Sequence, residues 1–174
     1  MLLYLVVSPL LFSLVLCLFY RVTSARHCAL PFLRGMLLAL PLLLVWLGLS
    51  AVFELSYDPR GLYFHHLFTG MLYPLLPGIA LFYLFERSLL RERGYIIVVG
   101  SAAFLAGIYL IHAVVDVLRI PHHYGPYVAF LLPTLRLGLI AVVPPLLGAV
   151  SREPRPLRLV WALLLVAIPA AFAG

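Results

Sequence analysis

Four side chains in the stretch 95–118 carry the strongest chemical signal. Tyr109, His112, Asp116 and Arg119 are separated by three, four and three residues. That spacing puts all four on one face of an α-helix. The rest of the stretch is apolar and long enough to span a bilayer as a helix, for which about 20 residues suffice. Ionisable groups inside such a segment are costly unless they face the interior of a bundle. At a rise of ~1.5 Å per residue, His112 lies roughly 9 Å below Leu118. A histidine one turn from an aspartate at that depth suits a proton relay, a metal site or a polar ligand pocket. The structural alternative is a clamp in which Asp116 holds the ring of His112.

Arg136 is the most costly residue in the chain. It falls about a dozen residues into a second apolar run, where insertion scales assign an arginine about +2.5–3.5 kcal/mol. Asp116, Glu54 or carbonyls released by Pro133 are candidate partners. The remaining candidates are an anionic ligand or lipid head group, and snorkelling of the side chain.

A further stripe, His66, Gly70, Tyr73 and Pro77, recurs at four, three and four residues. Gly70 would admit a neighbouring backbone, and Pro74 and Pro77 predict a kink. The candidate ligand-binding or proton-relay set is therefore His66, His112, Asp116 and Arg136. Glu54, Asp58, His65, Arg119, His122 and His123 form a secondary polar layer at the same depth. If a metal is held, His65, His66, His112 and Asp116 are its candidate ligands, and paired histidines on facing helices would also suit a b-type haem. No catalytic residue is assigned and no cofactor is required.

These residues need elements to position them, and hydropathy supplies six. Apolar runs at about 1–20, 35–53, 63–85, 95–118, 124–150 and 159–174 read as transmembrane helices joined by short loops. The fold class predicted is an all-α integral membrane protein, a single polytopic domain over 1–174. Five spans, with the last run lying on the surface, is the competing count.

Charge sets the orientation. Arg21, Arg26 and Arg34 lie in the first loop, Arg87, Arg91 and Arg93 in the third, and Arg152, Arg155 and Arg158 in the fifth. The second and fourth loops carry only Arg60 and Arg119. The arginine-rich loops should be cytoplasmic and both termini extracytoplasmic. The turn around Glu86, Arg87, Arg91, Glu92 and Arg93 reads as a topology anchor against anionic lipid.

Composition agrees. Of the 174 residues, 65% are hydrophobic and 10% charged, against roughly 45–50% and about 25% in a soluble domain. A chain this small has too little interior to hide that much apolar surface. Every basic residue is an arginine, which points to a GC-rich prokaryotic genome and hence the prokaryotic inner membrane. The net charge of +6 is spent in loops beside apolar runs, so no nucleic-acid partner is implied. No arginine or lysine precedes the first apolar run, so a cleaved signal peptide is not expected. Cys17 and Cys28 form no framework or CxxC motif and read as two ordinary thiols.

Segments 58–66 and 116–124 each offer an acid, an arginine, paired histidines and a tyrosine, as a duplicated two-helix unit would. His112 and Asp116, four residues apart, resemble one fragment of the membrane phosphatidic-acid-phosphatase motif. The arginine that precedes the histidine in that family and its companion PSGH segment are both missing, so its activity is not carried over. No HExxH, GxSxG or Walker loop occurs.

The function expected is a small transporter or permease-like protein with an outward-facing His/Asp/Arg site, and the balance leans away from an enzyme. The alternatives are a non-catalytic subunit of a larger membrane complex, and a haem- or metal-binding redox protein. The partners expected are the lipid bilayer and either other membrane subunits or further copies of the chain.

Overall fold

The computed structural model describes residues 2–22, 24–52, 73–119 and 132–150. Among them the chain is all-helical. Helix α1 covers Leu2–Phe19, α2 Ala29–Val52, α3 Tyr73–Phe85, α4 Gly94–Arg119 and α5 Leu132–Val150. One 3₁₀ turn, Leu89–Arg91, lies between α3 and α4. Two helices are long and apolar enough to cross a membrane, over Ala29–Gly48 and Gly94–Val115. Of the six runs expected, the first and fourth coincide with α1 and α4 to within a residue, while α2 begins six residues before position 35. The sixth run, and the N-terminal parts of the third and fifth, lie outside the described residues.

The turn after α1 is a Schellman cap. Val22 N–H donates to the Cys17 carbonyl at 2.9 Å and Arg21 N–H to that of Leu18 at 3.1 Å. The geometry needs a left-handed residue between them, and Arg21 takes that role with φ 52°. The next segment closes on Ser24 and Ala25, whose carbonyls accept from His27, Cys28 and Leu30. Pro31 follows in the first turn of α2, where its missing N–H breaks no helical bond. Helix α2 continues through Pro41, α3 through Pro77 and α5 through Pro144 and Pro145.

Helix α4 is the axis of the bundle and packs against each of the other four helices. One side meets α3 and α5, where Leu75, Leu105, Tyr109, Ile140 and Val143 share a cluster that Phe12 and Leu16 of α1 complete. The other side meets α2 and α3 through Ala39, Phe82, Ile97, Phe104 and Ile108, with Phe82 and Phe104 edge-to-face at 5.6 Å between centroids. The α2–α4 crossing is tightest at two glycines. A methyl group on Gly35 would strike the Phe104 carbonyl, and one on Gly107 would strike the Phe32 carbonyl. Reciprocal contacts of this kind let two backbones touch, as small residues do between helices in lipid.

The end of α1 and the start of α4 share one end of the bundle. Tyr20, just after α1, stacks on Tyr95 at the start of α4 with centroids 6.4 Å apart. Near the end of α5, Gly148 lies against Val98 and the Gly94 backbone of α4. Elsewhere the surface is apolar. Leu33, Leu37, Leu40 and Leu44 form an outward stripe along α2, with Leu37 66% and Leu44 70% exposed. Their spacing of four, three and four is a single helix face.

Candidate functional site

The interior is largely apolar but holds a few polar and charged side chains. While leucines point outward, Glu86, Ser101, His112 and Arg136 are buried. Ser101 Oγ–H is satisfied within its own helix, donating to the Ile97 carbonyl at 2.7 Å, an arrangement open to serine in an apolar helix.

Arg136 projects from α5 into the bundle and is only 2% exposed. Its guanidinium carbon lies over the Tyr109 ring of α4, 5.7 Å from the centroid. Tyr109 is itself fully buried. The negative face of an aromatic ring attracts a cation, by about 2 kcal/mol or more once both are removed from water. That attraction favours keeping the guanidinium inside the bundle. The side chain does not snorkel to the surface.

His112 is one turn beyond Tyr109 on the same helix and 4% exposed. Its Nδ1 stands 3.0 Å from the Ile108 carbonyl. A carbonyl only accepts, so Nδ1 carries the proton. In the neutral ring Nε2 is then the acceptor, and it is the atom at which the ring would gain a proton. Tyr73, from the second stripe, is buried in α3 and donates its hydroxyl to the Leu42 carbonyl at 2.8 Å, tying α3 to α2.

The structure thus brings Arg136 and Tyr109 together, with His112 adjacent along α4. Asp116 and Arg119 belong to α4, but their side chains lie outside the described residues. So do Glu54, Asp58, His65, His66, His122 and His123. Among the described residues no three His, Cys, Asp or Glu side chains converge as a metal site requires.

Two features escaped the sequence reading. Glu86, expected in an exposed charged turn, is 1% exposed. Arg34 donates to its Oε1 from Nη1 at 2.8 Å. The pair joins the first turns of α2 to the end of α3. The second is a close approach of Cys17 and Cys28, whose sulfurs are 2.6 Å apart.

The Arg34 pair yields a direct expectation. The Arg34 side chain is 40% exposed and that of Glu86 only 2%, so losing Arg34 strands the buried partner. Arg34→Ala is expected to cost about 1–3 kcal/mol in a denaturant titration in detergent. Combining it with Glu86→Gln should recover part of the loss, because no uncompensated charge is then buried. A loss in the double variant equal to the sum of the two single losses would show that the pair does not couple.

Comparison with known proteins adds no assignment, since no protein-family model, curated protein or solved structure matches the chain.

Proposed function

We propose that this chain is a small transporter of the prokaryotic inner membrane, with six spans and an outward-facing polar site that takes an anionic substrate. The observation that carries the reading is the Arg136 guanidinium, held over Tyr109 in the apolar interior one turn from His112. A cation kept there is prepared for a negatively charged guest, and the neighbouring imidazole can hold or release a proton. His66 and Asp116 belong to the same proposed site.

Membrane embedding is supported by the two long apolar helices and by the leucine stripe on α2. Water would penalise that surface, whereas lipid accepts it. The arginine-rich first and third loops lie at one end of the bundle, the pattern expected of a cytoplasmic face. Measured from Gly94 at ~1.5 Å per residue, Tyr109 is about 22 Å along α4, just past its midpoint. The bilayer is the solvent of the bundle, and any further subunit or second copy docks largely within it.

Two measurements test the proposal. In a background carrying Cys17→Ser and Cys28→Ser, single cysteines beside Arg26, Arg91 and Arg155 should resist a membrane-impermeant maleimide in intact cells. Labelling at two of the three sites would reverse the orientation. For function, the protein is reconstituted into liposomes loaded with a pH-sensitive dye, and inorganic phosphate, sulfate or succinate is added outside. Acidification of the lumen that depends on one of these anions and on the protein is expected. Folded protein that moves neither protons nor anions across this panel would overturn the transporter reading.

A further inference from the structure

Cys17 lies in the last turn of α1, and Cys28 immediately precedes α2. Eleven residues separate them in sequence, yet their sulfurs are 2.6 Å apart. A disulfide bond needs about 2.05 Å, so little motion is required to close one. The approach is built into the backbone. The Schellman cap through Arg21 turns the chain sharply at the end of α1, and the turn on Ser24 brings it back. Both thiols are half-buried and not joined, so a small reagent can reach them.

We propose that Cys17 and Cys28 are a redox-active dithiol that closes to an intramolecular disulfide by exchange with a small dialkyl disulfide, locking the α1–α2 hairpin. The proposal is independent of the transport reading.

Geometry separates the two roles. The Cys28 S–H donates to the Val22 carbonyl at 3.5 Å, which holds its proton in place. Burial pushes the Cys28 thiol up to about 12, and the hydrogen bond and charge of Cys17 push the same way. Cys17 is therefore the attacking sulfur and Cys28 the resolving one, since the thiolate is the nucleophile.

In the first step the Cys17 thiolate attacks one sulfur of the dialkyl disulfide. Its S–S bond breaks, and one alkyl thiolate leaves with the proton that Cys17 gave up. Cys28 then attacks the Cys17 sulfur of the mixed disulfide, passing its proton to the second departing thiolate. Two protein thiols are oxidised to one disulfide, and the reagent is reduced to two thiols.

The test uses the purified full-length protein in mild detergent with excess oxidised glutathione as the probe. Samples are quenched in acid, unfolded in dodecyl sulfate and alkylated with a polyethylene-glycol maleimide. The reduced protein should take two adducts and the oxidised protein none. The oxidised chain should be about 2 Da lighter, for the two hydrogens lost, and dithiothreitol should reverse the change. Cys28→Ser should stop at the mixed disulfide on Cys17. Two maleimide adducts surviving oxidation, or a wild-type product made of glutathione adducts or linked dimers, would overturn the proposal. The wild-type mass decides even if the serine variant folds poorly.

Discussion

Arg136→Gln is expected to leave the protein folded and to abolish anion-dependent proton uptake. The expectation follows from what the guanidinium does in each state. In the folded protein Arg136 is a buried cation lying over the Tyr109 ring. Glutamine is about as long and carries no charge, so it keeps the packing of the side chain while losing the cation. Folded yield by size exclusion in detergent should stay within about twofold. With an anion bound, the balance differs. A charge-assisted hydrogen bond to a buried ligand is worth ~1.5–3 kcal/mol, so its loss should weaken binding by about 10- to 100-fold. Arg136→Lys keeps the charge but loses the planar fork and should retain partial uptake. Tyr109→Phe keeps the ring face and should be mild, whereas Tyr109→Leu should lower stability by about 2 kcal/mol. A different result would sink the ligand reading. If Arg136→Gln folds poorly and regains yield when Asp116 or Glu54 is also neutralised, the arginine is half of an internal ion pair.

Gly107→Leu should be the most damaging single substitution at the α2–α4 crossing. The position has no space for even one carbon, because the Phe32 carbonyl and the Met36 backbone nitrogen already occupy it. These are backbone atoms of an adjacent helix and cannot swing aside as a side chain would. The helices must separate, and the packing of Phe82, Phe104 and Ala39 around the crossing is lost with them. A cost above about 4 kcal/mol is expected, in the range reserved for gross disruption, with folded yield falling at least tenfold. Gly35→Leu should behave alike, since it meets the Phe104 backbone. Gly48 and Gly138 provide controls, as nothing stands within 4 Å of a carbon added at either. There, leucine should be tolerated or gain up to about 1 kcal/mol from better helix propensity. Equal tolerance at Gly107 and Gly138 in the same detergent assay would refute the close crossing.

Much of the local structure was legible from the chain alone. Long apolar runs interrupted by arginine clusters predict helices, and α1 and α4 begin and end within a residue of the expected bounds. The inward direction of His112 also follows from sequence, because an ionisable group in an apolar helix is driven to the bundle interior, whereas for Arg136 the sequence leaves snorkelling and a lipid head group open. Helix α2 starts at Ala29, earlier than expected, because Arg34 reads as a loop residue from its charge, although arginine is a good helix former.

What the tertiary structure alone decided is which groups meet. Tyr109 was read as a neighbour of His112 and not as the ring beneath Arg136. Glu86 was read as a surface anchor, yet it is buried against Arg34. Cys17 and Cys28 were read as unrelated thiols, and a left-handed arginine at the end of α1 sets them side by side. Hydropathy and spacing act along one helix and determine where it runs and which face turns inward. The pairing of residues between helices depends on rotation and axial register. Those are set by close contacts such as Gly35 and Gly107, whose effect exists only once two helices have come together.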